Sequence, residues 1–501
     1  MSSQNDSFHK PHGIRFETSY ARLPERFYER IHPVPVKAPR LVQWNDACAK
    51  ELGIDSEDLS LEERAFIFSG NVLLPGAEPI ALAYAGHQFG HFVPQLGDGR
   101  AVLLGEVFDL YGKRRDIQLK GSGQTRFSRQ GDGRAALGPM IREYIVSEAM
   151  HALGIPTTRS LALVTTGEPV YREAVQPGAI LARVAASHIR VGTFEYFAAG
   201  QDQEALKILA DYVIGRHFPG AQKAENPYAA LLKAVVDAQA TLVARWMHAG
   251  FIHGVMNTDN TSISGETIDY GPCAFLDAYD PATVFSSIDH HGRYAFGNQG
   301  PIAAQNLAGL ADCLLPLLHE DPQQALALSK EIVGSFPILF NRYWLEGMCA
   351  KIGLKQGQPE DLPLIQDLLT LMKGHQADYT LSFRALCGGI DEKFDAAALR
   401  ILFSNSGEFD QWLIRWRRRL VGEGKPASEI AEKMLRVNPA FIPRNHRVEQ
   451  AIEAAVEQHD LSKMAHLIEV LSRPYDDQPA NAEYMNPPKP EERVTQTFCG
   501  T

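Results

Sequence analysis

The feature of this sequence that most constrains its fold is a change in periodicity near residue 192. Before it, residues 92–120 contain short β-branched and aliphatic runs separated by glycine-containing turns, which is typical of antiparallel hairpins. One helical pattern follows at 138–154, and two more strands are predicted within 158–187. After residue 192, long helical patterns dominate. The sequence therefore predicts an α+β protein with a strand-rich first part and a mostly helical second part.

These patterns divide the chain into three regions. We place an N-terminal lobe at 1–190, a helical C-terminal lobe at 191–473 and a flexible tail at 474–501. The tail is rich in proline and polar residues, so we expect it to lack regular structure. The helical patterns of the second lobe lie at 203–217, 227–249, 302–318, 323–350, 360–374, 408–421 and 445–472.

Charge and composition restrict the expected partners. Asp and Glu total 60 against 49 Lys and Arg, a net charge of −11, whereas a general nucleic-acid binder needs a basic face. The apolar runs are shorter than the roughly 20 residues of a membrane helix, and the first residues do not resemble an export signal. We therefore expect a cytoplasmic protein whose partners are neither nucleic acid nor membrane.

A short motif at 253–260, HGVMNTDN, resembles the catalytic loop of protein kinases, H-R-D-L-x-x-x-N. His253 and Asn260 match that pattern, but Val255 occupies the position of the kinase base. The run TIDYGP then places Asp269 where kinases have the aspartate of Asp-Phe-Gly. Asn260 and Asp269 offer the oxygen ligands that Mg²⁺ or Mn²⁺ prefers beside phosphate.

The other parts of a kinase-like phosphate site occur in the expected order. A glycine turn, Gly97-Asp98-Gly99-Arg100, lies between two predicted strands, where small residues let backbone N–H groups approach an anion. Lys120 ends a strand, and Glu143 lies on the following helix, where it could pair with the ammonium. Taken singly, each has an ordinary alternative: a hairpin turn, a solvated lysine and an exposed glutamate. Their order carries the prediction.

Arginines are concentrated beside these parts. One arginine side chain can bind two phosphate oxygens at once, and it keeps its charge. A local cluster of arginines therefore suits a nucleotide site in an acidic protein. Ion pairs with nearby glutamates are the ordinary alternative. The cluster consists of Arg126, Arg129 and Arg134 around Asp132-Gly133, together with Arg183 and Arg190.

Two further patterns, a histidine pair and an arginine-rich helix, are weak indications of function. His87 and His91 have the spacing of metal ligands on a helix, but no further ligand accompanies them, so zinc is not expected. The helix containing Trp412 and Trp416 is rich in arginine, yet inward packing of both indoles is a simpler interpretation than nucleic-acid binding.

Several longer stretches resemble the selenoprotein O family, also called YdiU. They are YAGHQFG (84–90), LGDGRA (96–101), LKGSGQT and SRQGDGRA (119–135), LGIPTTRSLA (153–162), HGVMNTDNTSI and TIDYGP (253–272) and NPAFIPRNH (438–446). The resemblance implies a two-lobed, protein-kinase-like fold. It also implies transfer of AMP from ATP, or of UMP from UTP, to protein hydroxyl groups.

The resemblance also assigns roles to residues. In this family the nucleotide lies in a flipped orientation, with the α-phosphate facing the acceptor, so the kinase base is not needed at its usual position. By resemblance, Asp259 is the base, Asn260 and Asp269 bind the metal, and Lys120 pairs with Glu143. The implied nucleotide contacts are Gly97, Gly99, Arg100, Lys120, Asp132, Gly133, Arg183, Arg190 and Asp269. One departure is Arg126, where the family pattern leads us to expect proline.

We therefore expect a protein adenylyltransferase that uses ATP or UTP with Mg²⁺ or Mn²⁺ and modifies Ser, Thr or Tyr hydroxyls of other proteins. Two alternatives stay open. One is a kinase-like enzyme that transfers the γ-phosphate; the other, suggested by Val255, is a non-catalytic nucleotide-binding scaffold.

The cysteines allow a further hypothesis. The chain has six, scattered and without a C-x-x-C pair, so a disulfide framework is not expected. Cys273 follows the Asp269 motif, and Cys499 lies near the end of the tail, so the two could form a reversible disulfide that lowers activity. The alternative is that Cys273 is a packing residue and Cys499 has no role. Peptide mapping of the oxidised protein distinguishes the two.

Overall fold

A computed structural model describes residues 14–355, 358–390 and 397–498. Within these ranges the chain forms sixteen α-helices and twelve strands, with most strands before residue 186 and most helices after residue 190. The predicted α+β, two-lobed architecture is confirmed.

The first part is built on one antiparallel sheet of eight strands. Its order is β1-β3-β6-β7-β10-β9-β2, and β8 pairs with β10 beside this path. A separate hairpin is formed by β4 and β5, and a second small sheet by β11 and β12. The strands are β1 (Tyr28–Arg30), β2 (Arg40–Trp44), β3 (Ile80–Leu82), β4 (Gly86–Gln88), β5 (His91–Val93), β6 (Ala101–Phe108), β7 (Arg114–Lys120), β8 (Ala135–Ala136), β9 (Arg159–Tyr171), β10 (Val175–Ala185), β11 (Phe251–Ile252) and β12 (Ala274–Phe275).

The register at the centre of this sheet brings polar side chains together. Gln118 of β7 lies opposite Arg183 of β10, and Lys120 lies opposite Leu181. Directly opposed residues of an antiparallel pair, and residues two apart on one strand, project from the same face. Gln118, Lys120 and Arg183 therefore extend from one face at the middle of the sheet.

The helices make up the rest of the fold. They are α1 (Asp46–Glu51), α2 (Leu61–Phe68), α3 (Leu137–Ala152), α4 (Val191–Ala199), α5 (Gln203–His217), α6 (Pro227–Ala249), α7 (Gln299–Leu318), α8 (Pro322–Gly334), α9 (Phe336–Lys351), α10 (Leu362–Gly374), α11 (Tyr379–Leu386), α12 (Ala397–Leu402), α13 (Gly407–Val421), α14 (Ala427–Leu435), α15 (Asn445–Glu457) and α16 (Ser462–Leu471).

Two of the predicted helices are in fact pairs of helices. The pattern at 323–350 is divided between α8 and α9 at Ser335, because Pro337 lacks the N–H that a continuous helix needs and instead occupies the first turn of α9. The pattern at 445–472 is divided between α15 and α16. There His459 has a positive φ of 55°, which a helix cannot contain.

The last two helices pack against the N-terminal lobe. Apolar residues of α15 and α16, among them Val448 and Leu467, share a buried cluster with Ile141 and Ile145 of α3. Residues 445–471, which the sequence assigned to the helical lobe, thus cover α3 of the N-terminal lobe. This long-range contact has no local signature in the sequence.

The segment Phe296–Leu318 is long and apolar enough to cross a membrane by length and composition alone. Half of its most apolar window is buried, and Leu307, Leu310 and Leu314 belong to the largest apolar core. Internal helices of globular proteins have the same composition. The expectation of no membrane partner stays a prediction.

The described part of the C-terminal segment is packed rather than free, which corrects the expectation of a flexible tail. It has only two short 3₁₀ turns, Pro479–Met485 and Pro490–Glu492. However, Arg444 donates to the carbonyl of Met485, and Thr497 is buried with its backbone N–H bonded to the carbonyl of Phe285. Proline and polar residues prevented a regular element, but not these contacts with the helical lobe.

The helix α13 buries both of its tryptophans, as predicted. Trp412 and Trp416 are fully buried and stack with ring centroids 5.6 Å apart. Their indole N–H groups donate to the carbonyls of Leu364 and Ile352, both at 2.8 Å. The arginine-rich face of α13 lies outside this core.

We expect Trp416→Ala to lower the free energy of unfolding by about 3–5 kcal/mol, because it leaves a large cavity and an unpaired carbonyl. Chemical denaturation followed by circular dichroism measures the change. The matched control is Ile414→Ala, an exposed residue of the same helix, which should change stability by less than about 0.5 kcal/mol. Similar values for the two variants would contradict the assigned core.

Candidate active site between the two lobes

A cavity of about 400 Å³ lies where the sheet meets the helical lobe. It is lined from above by the glycine turn and the ends of β7 and β10, and from below by the loops at 255–260 and 269–272. Among its lining residues are most of those predicted from the sequence: Gly99, Arg100, Lys120, Arg183, Arg190, Asp259, Asn260 and Asp269.

The carboxylate of Asp269 is the centre of this site. Its Oδ1 accepts from Lys120 Nζ at 2.9 Å and from Arg183 at 2.6 Å, and its Oδ2 accepts from Arg190 at 2.6 Å. Burial alone would raise the pKa of Asp269, but the charges of Lys120, Arg190 and Arg183 hold it well below its ordinary value. The carboxylate is thus ionised and shared by three cations.

Lys120 and Arg183 have a second carboxylate partner on α3. Glu143 accepts from Lys120 Nζ at 2.6 Å and lies 3.3 Å from Arg183. All three side chains are buried. Glu143 therefore fixes the two cations of the sheet without lining the cavity itself.

A buried chain of hydrogen bonds joins Arg183 to the glycine turn. Arg183 donates to Gln118 Oε1 at 2.5 Å, and Gln118 Nε2 donates to Asp98 Oδ2 at 3.0 Å. Burial raises the pKa of Asp98 to about 6. The motif comparison gave Gln118 and Asp98 no role. Alternation along β7 could have indicated Gln118, since it places that residue on the same face as Lys120.

The loop after β11 is held rigidly beneath the cavity. His253 Nε2 donates to the carbonyl of Ile268 at 2.8 Å, and Asn260 Nδ2 donates to the carbonyl of Val255 at 3.0 Å. The latter bond turns the amide oxygen of Asn260 away from Val255. Arg190 also donates to the carbonyl of Asp259 at 2.6 Å, so one guanidinium joins this loop to Asp269.

The side chain of Asp259 lies at the edge of the cavity with its two oxygens in different surroundings. Oδ1 is enclosed and has no hydrogen-bond partner within the described residues, whereas Oδ2 accepts from Gln88 Nε2 at 3.2 Å. Burial raises the pKa of this carboxyl group to about 6. Gln88, on β4, was not predicted as a site residue.

Comparison with known proteins decides the family. The family model described as protein adenylyltransferase SelO matches residues 12–472. The chain belongs to the SelO family. It is 60% identical over 488 residues to "Protein nucleotidyltransferase YdiU" of Rhizobium meliloti (strain 1021), covering 97% of this chain and 99% of the relative.

A second relative of the same name, from Rhizobium rhizogenes (strain K84 / ATCC BAA-868), is 59% identical, with 97% of each chain covered. A third, from Rhodopseudomonas palustris (strain BisB5), is 57% identical over 97% of this chain and 99% of the relative. These matches confirm the family recognised in the sequence and the enzyme class, a protein nucleotidyltransferase.

Not every residue assigned by resemblance lines the cavity of this SelO-family chain. Gly97 lies just behind it, with a φ of 68° and no room for a side chain, because a Cβ would lie 2.2 Å from the ring of Phe127. Asp132 forms a bidentate pair with Arg172 at 2.9 Å, and neither it nor Gly133 is among the lining residues described. Contact of Asp132 and Gly133 with a nucleotide stays a prediction.

The structure places one of the two redox candidates. Cys273 is buried, while Cys499 lies outside the described residues. Thr497, two positions earlier, donates from Oγ1 to the carbonyl of Pro272 at 2.7 Å. The described end of the chain thus reaches the neighbour of Cys273, and the disulfide stays a hypothesis.

The described residues contain no cluster of three or more His, Cys, Asp or Glu side chains that could hold a metal. His87 instead bonds Glu195 through Nδ1 at 2.8 Å. The side chains of Asn260 and Asp269 nevertheless place an amide oxygen and a carboxylate beside one cavity. One carboxylate with one amide oxygen suits Mg²⁺, which is usually held by one or two protein carboxylates and completes its shell with phosphate and water.

We expect Asp269→Ala to lower the free energy of unfolding by about 3–5 kcal/mol, because three buried cations lose their shared partner. Chemical denaturation of the nucleotide-free protein measures this. As a control, Asp132→Ala removes an exposed ion pair, which should cost less than about 1 kcal/mol. If both variants were equally stable, the charge cluster would not support the fold.

Proposed function

We propose that this chain transfers AMP from ATP, or UMP from UTP, to Ser, Thr or Tyr hydroxyls of other proteins and releases pyrophosphate. The observation that carries the proposal is the pairing, in one cavity, of the cation-bound Asp269 with the carboxyl group of Asp259. The cations around Asp269 suit a polyphosphate, and the carboxyl group of Asp259 suits an attacking hydroxyl. Val255, at the position of the kinase base, has no proton-accepting group.

The charges of the cavity support a triphosphate substrate. Lys120, Arg183 and Arg190 are ion-paired with Asp269 and Glu143, and Arg190 also lies 4.0 Å from Asp98. Arg100 and Arg129 also line the cavity, so five cationic side chains are gathered around it in a chain whose net charge is −11. Because the cations are already held in place, they stabilise charge on a leaving pyrophosphate without reorganising.

Asn260 and Asp269 would hold a divalent cation. The amide of Asn260 is fixed by Val255, which leaves its oxygen for a ligand. When bound, Mg²⁺ or Mn²⁺ supplies positive charge to the phosphate oxygens. Asp269 would then share its carboxylate between this ion and the cations that now hold it.

Asp259 would receive the proton of the acceptor. As the hydroxyl oxygen forms a bond to the α-phosphorus, the bond from that phosphorus to the bridging oxygen of the β-phosphate breaks, and pyrophosphate leaves. The hydroxyl proton passes to the Asp259 carboxylate. With its pKa raised to about 6 by burial, the group is a stronger base than an ordinary aspartate yet still ionised at neutral pH.

The deciding experiment uses ATP labelled at either the α- or the γ-phosphate, with Mg²⁺ or Mn²⁺ and a mixture of acceptor proteins. We expect protein-bound label from the α-position only, and the same from α-labelled UTP if UMP is also transferred. Label from the γ-position alone would identify a phosphotransferase. Nucleotide binding with no transfer of either label would identify a scaffold.

We expect Asp259→Ala to slow transfer by about 10²-fold, the usual effect of losing a general base. Nucleotide binding, measured by calorimetry, should change by less than about twofold, because Asp259 does not touch the cations through its side chain. The matched control is Asp312→Ala, an exposed aspartate of α7. Full turnover by Asp259→Ala would show that another group takes the proton.

A further inference from the structure

The β4–β5 hairpin is separate from the main sheet and lies on the loop that contains Asp259. Its strands pair Gly86 with Val93, His87 with Phe92 and Gln88 with His91. The hairpin follows β3 directly, so it extends from the N-terminal lobe onto the helical lobe. It therefore brings residues of the N-terminal lobe to the proposed base, Asp259, without contributing to the sheet core.

Hydrogen bonds fasten the hairpin to this loop at two places. The N–H of His87 donates to Thr258 Oγ1 at 2.7 Å, and the N–H of Phe89 donates to Asn257 Oδ1 at 3.1 Å. Glu195 of α4 accepts from Thr258 Oγ1 at 2.5 Å and lies 2.8 Å from His87 Nδ1. The hairpin is thus attached on both sides of Gln88.

Glycine allows the close approach. A Cβ on Gly86 would lie 2.4 Å from Asp259 Oδ1, and one on Gly192 would lie 2.1 Å from the carbonyl of Ala85. Only residues without a side chain fit here. The backbone of Gly86 therefore covers Oδ1 and leaves Oδ2 as the oxygen through which Asp259 meets the cavity.

Gln88 is the side chain that holds Oδ2. Its Nε2 donates the one side-chain hydrogen bond that the Asp259 carboxylate accepts within the described residues, at 3.2 Å. Gln88 also lines the cavity. This bond opposes rotation of the carboxylate away from the acceptor.

We propose that Gln88 is a positioning residue that orients Oδ2 of Asp259 toward the acceptor hydroxyl. This role rests on the proposed function. A carboxylate oxygen has two lone pairs, so Oδ2 can accept from Gln88 and take the hydroxyl proton at the same time. The N-terminal hairpin then completes the catalytic loop of the helical lobe, and sequence spacing alone did not reveal this.

The test replaces the amide while keeping the length of the side chain. We expect Gln88→Met to lower the rate of transfer of α-label to acceptor protein about tenfold, the order expected for loss of a hydrogen bond to a charged group. The dissociation constant for nucleotide should change by less than about twofold. Gln88→Ala serves as a second variant if Gln88→Met does not fold, and His91→Ala, an exposed residue on the opposite strand, should transfer at the unmodified rate.

A double-mutant cycle separates positioning from a merely structural role. If Gln88 acts through Asp259, Gln88→Met should have no effect, within about twofold, once Asp259→Ala is present. An equal loss in both backgrounds, or an unchanged rate for the single variants, would overturn the role. If the unmodified protein transfers no α-label, the proposed function fails first. Transfer of α-label with an unaffected Gln88→Met variant would refute only the role of Gln88.

Discussion

The carboxylate of Asp269 is shared by Lys120 from β7, Arg183 from β10 and Arg190 from the segment that joins the two lobes. The three cations are buried, and removing their shared carboxylate is costly because Glu143 compensates only Lys120 and Arg183. Since each cation comes from a different part of the chain, the cluster fixes the sheet, the joint and the loop of Asp269 relative to one another. The geometry of the cavity depends on this single interaction.

The same cluster explains how an acidic protein can bind a polyphosphate. Arg190 touches both Asp269 and the backbone of Asp259, and its guanidinium lies 4.5 Å from the ring centre of Tyr84. It is therefore held by charge, hydrogen bond and ring contact together. Cations held in this way need little rearrangement to stabilise negative charge, which is the main electrostatic requirement of phosphoryl and nucleotidyl transfer.

Contacts between distant parts of the chain complete the site. The β4–β5 hairpin carries Gln88 to Asp259, and Thr497 near the end of the described chain bonds the carbonyl of Pro272. The helices α15 and α16 cover α3, which carries Glu143. Each of these segments is far from the motifs of the site in the sequence, yet each contacts or supports a residue of the cavity.

The sequence by itself determined the two-lobed order of elements, because hydrophobic periodicity depends only on residues that are close together in the sequence. Motif order also indicated Lys120, Glu143, Asn260 and Asp269, since a phosphate site needs these residue types in this order, whereas Asp259 was implied only by the family resemblance. The sequence did not determine that 323–350 and 445–472 are each two helices, although Pro337 was a local indication of the first break.

Apart from the pairing of Lys120 with Glu143, only the tertiary structure decided which side chains meet. Gln88 and Gln118 are common residue types with no motif, and their roles follow from strand register and from glycines that permit close approach. The position of residues 474–498 likewise depends on hydrogen bonds to residues far away in the chain, such as that of Thr497 to Phe285. Pairing of this kind is a property of three-dimensional packing, since a residue's partners in space need not be near it in the chain.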